Sequence, residues 1–126
     1  MRTVVHTTNA PKAIGPYSQG ISINGLLFVS GQVPVNPETG EVVTSSFADE
    51  VRQVMSNVNA ILAEAGTSID KAVKVTIFLS DMNNFTELNE LYASYFSTTD
   101  YPARECVQVA RLPRDVNVEI SVIAQV

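Results

Sequence analysis

Apolar and polar residues alternate along two segments near the end of the chain. Residues 102–110 and 116–122 each place valine or isoleucine at alternate positions, a pattern that predicts β-strands with one apolar face. Residues 112–115 contain a proline and an aspartate and form the predicted turn between these strands.

The polar face of these two strands carries candidate chemistry. Strand parity puts Arg104, Cys106 and Gln108 opposite the valines of their strand. If the two strands pair antiparallel around their turn, Glu119 lies opposite Cys106 or Gln108 on the same face. A guanidinium, a thiol and a carboxylate that share one sheet face can hold a small acid and act on it. The same spacing is equally typical of a surface ion pair beside a buried cysteine.

Three further strands are expected earlier in the chain. Residues 21–23 and 26–30 flank Asn24-Gly25, and this dipeptide suits a two-residue hairpin turn because both residues tolerate positive φ. Residues 73–79 alternate and predict the third of these strands.

Apolar residues recur at helical spacing in one long segment. They predict a helix over residues 47–65, which Ser45 or Ser46 caps and Gly66 ends.

A second helix is expected after the capping candidates Asp81 and Asn83, and before Pro102. Its apolar face is formed by Phe85, Leu88, Tyr92, Tyr95 and Phe96. Two amphipathic helices among five strands predict an α+β fold, with a mixed β-sheet and both helices packed on one of its faces. We expect the opposite face, with Arg104 and Glu119, to be a site, a subunit interface, or both.

Composition and charge limit the possible partners. The 126 residues predict one domain, from residue 1 to residue 126. Only 17% of the residues are charged, and we therefore expect other copies of the chain to cover part of the surface. The net charge of −5 and the lack of a basic cluster make nucleic acid an unexpected partner.

The chain lacks the usual signals for metals, cofactors and membranes. Cys106 and His6 are the single cysteine and histidine, and with scattered carboxylates they give no metal-ligand spacing. No glycine-rich phosphate loop is found, and no cofactor is expected. We expect no membrane partner, because no stretch approaches spanning length. The cytosol is the simplest compartment, because no signal-like apolar run is found.

Several segments, in this order and with this spacing, resemble the YjgF/RidA family of reactive intermediate deaminases. They are residues 14–20, 28–34, 89–96, 102–104 with Cys106, and 118–120. The resemblance extends from about residue 10 to residue 124. It implies a homotrimer with a chorismate-mutase-like fold and clefts between subunits that bind small carboxylates. It also implies hydrolysis of 2-imino or 2-enamino acids to 2-keto acids and ammonia.

The cleft residues that the resemblance implies are Tyr17, Ser30, Gly31, Asn89, Arg104, Cys106 and Glu119. Glu105 departs from the pattern of close relatives, which carry a small hydroxyl residue there. Strand parity points Glu105 away from Arg104 and Cys106, so we expect it to affect packing or the interface more than chemistry.

These residue types suit imine hydrolysis. Arg104 offers a planar fork of donors that binds a carboxylate in two places. Glu119 can aim a water at the imine carbon and take its proton as general base. Arg104 would lower the pKa of Glu119 and burial would raise it, and the sequence does not determine which effect is larger. We expect Cys106 to be a cleft wall, because water can attack an imine without a covalent intermediate. A nucleophilic thiol would also need an adjacent base, and His6, the single histidine, is expected to be structural or exposed.

The remaining candidates have structural alternatives. Tyr17 is expected to bind substrate or water through its hydroxyl, or to be a core aromatic. Ser30 and Gly31 either present backbone groups to a ligand or form a plain strand-end turn. Asn89 either contacts the cleft or faces solvent.

Three functions follow from these alternatives: an imine deaminase, a noncatalytic trimer that binds small carboxylates or a protein partner as a regulator, and a ribonuclease. Glu119 favours the first, because a second negative charge would hinder plain carboxylate binding. The acidic charge and the lack of paired histidines count against the third.

Overall fold

The computed structural model describes all 126 residues, and it contains one six-stranded mixed β-sheet and two α-helices. The elements are β1 (Thr3–Val5), β2 (Gly20–Ile23), β3 (Leu26–Gln32), α1 (Phe47–Glu64), β4 (Ala72–Leu79), α2 (Phe85–Ala93), β5 (Ala103–Gln108) and β6 (Val118–Gln125). The predicted α+β architecture is confirmed. The sheet also includes β1, a strand that is absent from the five predicted from the sequence. No helix is long and apolar enough to cross a bilayer.

Local sequence signals place the hairpin and the first helix. Asn24 and Gly25 take φ values of 51° and 76°, as the predicted two-residue turn between β2 and β3 requires. The hydroxyl of Ser46 caps α1 by accepting the N–H of Asp49 at 3.0 Å. Gly66, at φ 81°, follows the end of α1. These predictions are confirmed.

The two helices share one hydrophobic core with the inner face of the sheet. α1 contributes the fully buried Val54, Met55 and Ile61, and α2 contributes the buried Leu88. α2 is shorter than predicted and ends at Ala93. Tyr95 and Phe96 therefore lie beyond the helix, where they still pack against the core.

β5 and β6 do not form the antiparallel pair that was considered from the sequence. The strands lie in the order β1-β2-β3-β6-β4-β5, so β4 separates them, and β5 runs parallel to β4. Ile77 of β4 aligns with Cys106 on one side and with Ile120 on the other. β4 suits the inner position because its core-facing side chains are fully buried, whereas the charged β5 suits a sheet edge.

The faces of β5 are also reversed from the prediction. Phe78 of β4 aligns with both Val107 and Glu119, so these three side chains share the outer face, which carries no helix. Arg104 aligns with the buried Val75 and therefore lies on the helix face. The alternation identified the strand but not which of its faces is turned toward the helices, because apolar residues such as Val107 occupy the outer face as well.

Candidate functional site

The guanidinium of Arg104 lies against aromatic rings of α2. Its Cζ atom is 5.0 Å from the ring centroid of Tyr92 and 5.7 Å from that of Phe85, which are cation–π distances. The ion pairs of the chain are formed by other residues. The positive charge of Arg104 is therefore available to an anion.

Arg104 also lines a depression of about 340 Å³ between α2 and the start of β5. The lining residues are Asn89, Tyr92, Ala93, Tyr101, Pro102 and Arg104. Asn89 Oδ1 and the Tyr92 hydroxyl are buried there without a hydrogen-bond partner. Asn89 thus lines the depression and does not simply face solvent. Buried polar atoms without a partner are rare in folded proteins, and they mark this depression as a candidate binding site.

Tyr92 was missed as a site residue by sequence reasoning, which assigned it to the apolar face of α2. Its spacing from Phe85 and Asn89 is the signal that could have found it, because positions seven and three residues earlier lie on the same helix face. Burial raises the pKa of Tyr92 to about 12, although the nearby charge of Arg104 acts to lower it. The hydroxyl is therefore a proton donor at neutral pH.

Glu119 is half-buried on the outer face, directly above Gly31. A Cβ atom at Gly31 would lie 2.8 Å from Glu119 Cδ, so the glycine makes room for the carboxylate. An irregularity in the β3–β6 pairing between Val29 and Gln32 accompanies this contact. Burial raises the pKa of Glu119. The sequence suggested two opposing effects on this pKa, burial and the charge of Arg104. Within one chain, only burial acts on Glu119.

The loop that carries Tyr17 is attached to the same end of β3. The Ser30 hydroxyl donates to the Ser18 carbonyl, and the Ser30 N–H donates to the Gln19 carbonyl at 2.9 Å. The buried Gln19 side chain donates to the Pro11 carbonyl at 2.9 Å. Tyr17 itself is exposed, so it is not a core aromatic.

Cys106 is partly buried on the helix face, two residues after Arg104. Burial raises the pKa of its thiol, and Arg104 lowers it by less. The thiol is therefore protonated at neutral pH and a poor nucleophile. His6 is exposed. No group of three or more His, Cys, Asp or Glu side chains converges in the structure.

Glu105 lies on the outer face and pairs with Lys74 at 3.4 Å. The prediction that it points away from Arg104 and Cys106 is confirmed.

The candidate residues form two separate half-sites, which lie on opposite faces of the sheet within one chain. The cation half-site consists of Asn89, Tyr92, Arg104 and Cys106, on the helix face. The base half-site, named for the role expected of Glu119, consists of Ser30, Gly31 and Glu119, with the Tyr17 loop attached to it. The predicted single face for Arg104, Cys106 and Glu119 is therefore wrong.

Known proteins are similar to this chain in sequence and in fold. The family model described as Endoribonuclease L-PSP matches residues 7–126. A RutC family protein of Pyrococcus horikoshii is 51% identical over 124 residues, and 98% of each chain is covered. The 2-iminobutanoate/2-iminopropanoate deaminase of Escherichia coli is 46% identical over 126 residues, with 98% of each covered.

A solved structure extends the similarity to the fold. Escherichia coli TdcF with bound serine is 44% identical and superposes with a TM-score of 0.93 over 98% of each chain. With these matches across nearly its whole length, the chain belongs to the YjgF/RidA family.

Proposed function

We propose that the protein is a hydrolase that needs no cofactor and converts 2-imino and 2-enamino acids to 2-keto acids and ammonia. The observation that carries this proposal is the unpaired guanidinium of Arg104 beside the unpartnered polar atoms of Asn89 and Tyr92. The guanidinium and the Tyr92 hydroxyl donate hydrogen bonds and suit a small carboxylate, whereas Asn89 Oδ1 accepts one and suits an N–H of the substrate. The E. coli relative named as an iminobutanoate deaminase supports the same substrate class.

The active cleft, in this proposal, lies between subunits of a homotrimer. Arg104 and Glu119 lie on opposite faces of the sheet, so the cation half-site of one copy must meet the base half-site of another. Apolar side chains on the outer face support such contacts, because Phe28 and Val107 are 42% and 45% exposed. Exposed apolar patches are typical of interfaces.

Each residue then has a defined task. Arg104 binds the substrate carboxylate and orients the imine carbon above Glu119. Glu119, as a carboxylate, takes a proton from water while the water oxygen bonds to the imine carbon. The C=N π electrons move to the nitrogen, which takes up a proton from solvent, and Glu119 then gives the carbinolamine nitrogen the proton it took from water. The C–N bond breaks with its electron pair on the leaving ammonia, and the hydroxyl proton passes to Glu119 and on to solvent as the C=O bond forms. Ammonia and the 2-keto acid are released.

The proposal also gives roles to the residues beside Glu119. The backbone of Ser30 and Gly31 approaches the substrate, and the Tyr17 hydroxyl holds the substrate or the attacking water. Cys106 forms a wall beside the bound carboxylate.

An assay for ammonia and pyruvate from freshly generated 2-aminoacrylate tests the reaction. We expect release of both products above the spontaneous rate, in proportion to protein concentration. Calorimetric binding of 2-ketobutyrate without any such acceleration would contradict the deaminase and favour the noncatalytic regulator. RNA cleavage is disfavoured by the net charge of −5, although the family description names an endoribonuclease.

Replacement of Cys106 by alanine is expected to leave turnover within about ten-fold of the wild type, because no covalent step uses the thiol. The raised pKa of Cys106 supports this expectation. Steady-state kinetics measure the effect, and intact-protein mass spectrometry during turnover checks the mechanism. A substrate adduct on Cys106 that forms and decays at the turnover rate would contradict it.

A further inference from the structure

Tyr92 carries a hydroxyl that the fold leaves without a partner. Its side chain is almost completely buried, at 5% exposure, and its oxygen finds no hydrogen-bonding atom in the protein. A buried hydroxyl without a partner is unfavourable for folding. Such a group is expected to find its partner in a bound ligand.

The surroundings of this hydroxyl indicate which ligand it binds. Phe85, Asn89 and Tyr92 share the face of α2 that is turned toward β5, and the Arg104 guanidinium lies 5.0 Å from the Tyr92 ring centroid. Asn89 Oδ1 is likewise buried without a partner in the same depression. A cation and an unpaired donor that line one depression suit an anion with several acceptor positions.

We propose that Tyr92 is a further binding residue for the substrate carboxylate, in which its ring supports the Arg104 guanidinium and its hydroxyl donates a hydrogen bond to the bound carboxylate. This inference rests on the proposed function, because it takes the carboxylate of a 2-imino or 2-keto acid as the ligand. The ring and the hydroxyl have separate effects, which separate substitutions can measure.

The chemistry of the groups is compatible with simultaneous binding. A carboxylate accepts about four hydrogen bonds, so the two donors of the guanidinium fork leave positions for a phenol. The raised pKa of Tyr92, about 12, keeps its hydroxyl a donor throughout the neutral range. A hydrogen bond from a neutral hydroxyl to an ionised carboxylate is stronger than one between neutral groups.

The test compares Tyr92→Phe, which removes only the hydroxyl, with Tyr92→Leu, which also removes the aromatic ring. Tyr95→Phe is the matched control, because Tyr95 is a partly buried tyrosine just beyond α2 that does not line the depression. Calorimetry measures the Kd of 2-ketobutyrate for each variant, and thermal unfolding without ligand measures stability. Imine hydrolysis is measured on the same preparations.

We expect Tyr92→Phe to raise the Kd of 2-ketobutyrate about ten-fold or more, and Tyr92→Leu to raise it further. KM for the imine should rise with little change in kcat, because the contact is made equally before and during reaction. The melting temperature of ligand-free Tyr92→Phe should not fall, since the removed hydroxyl has no partner. Tyr95→Phe should retain the wild-type Kd.

Each contrary result has a separate meaning. An unchanged Kd in Tyr92→Phe, or a fall in its melting temperature that accounts for the weaker binding, would overturn the role of Tyr92. Intact binding of 2-ketobutyrate by the wild type without imine turnover would contradict the proposed reaction but not this inference. Failure of the wild type to bind 2-ketobutyrate would overturn this inference, and the imine assay would decide the proposed reaction separately.

Discussion

Replacement of Glu119 by glutamine is expected to lower the kcat of imine hydrolysis by about 10² or more, because general-base catalysis typically contributes that much. Glutamine keeps the shape of the side chain above Gly31 and removes only the proton acceptor. Binding of 2-ketobutyrate should be retained or strengthened, because a negative charge near the bound carboxylate has been removed. Steady-state kinetics and calorimetry on one preparation measure both quantities.

A control separates the loss of this base from the loss of any carboxylate. Glu38→Gln removes an exposed negative charge in a loop, and we expect its kcat to equal that of the wild type. Unchanged turnover in Glu119→Gln would eliminate Glu119 as the base. An equal weakening of turnover and of 2-ketobutyrate binding would instead indicate a role in substrate binding.

The pH dependence of kcat gives an independent signature of the same base. Burial raises the pKa of Glu119, and only the carboxylate form accepts the proton from water. Wild-type kcat should therefore be full above this raised pKa and fall as the pH decreases through it. The residual turnover of Glu119→Gln should lack this acidic limb.

The local elements of the fold could be predicted because their signals lie within a few residues. The Asn24-Gly25 turn and the Ser46 cap are short-range features, and both are present as predicted. The insertion of β4 between β5 and β6 is a long-range pairing, and nothing in the alternation of either strand specifies its neighbour.

The error in the site has the same physical origin. Period-two alternation shows that Arg104 and Val107 point in opposite directions, but it does not show which of them faces the helices. Charge suggested that Arg104 faces away from the core. The aromatic rings of Phe85 and Tyr92 instead receive its guanidinium on the helix face, because long cationic side chains can pack over apolar groups while their charge stays accessible.

This separation of Arg104 from Glu119 leads to the strongest test of the proposed assembly. Arg104→Ala should cost about 2 to 5 kcal/mol of transition-state stabilisation, so this variant and Glu119→Gln should each be nearly inactive. Each variant nevertheless keeps one intact half-site. If every cleft joins the cation half-site of one copy to the base half-site of the next, a mixed trimer contains one cleft with both residues intact.

A mixture of the two variants should therefore regain activity that neither has alone. Random assembly from equal amounts places both variants in about three quarters of the trimers, and about one cleft in three is intact there, so about a quarter of wild-type activity is expected. The variants are unfolded and refolded together, mixed trimers are counted by native mass spectrometry, and ammonia release is measured. A mixture of Arg104→Ala with Arg104→Gln is the control, because every cleft then lacks the guanidinium. Verified mixed trimers with no regained activity would contradict a cleft shared between subunits.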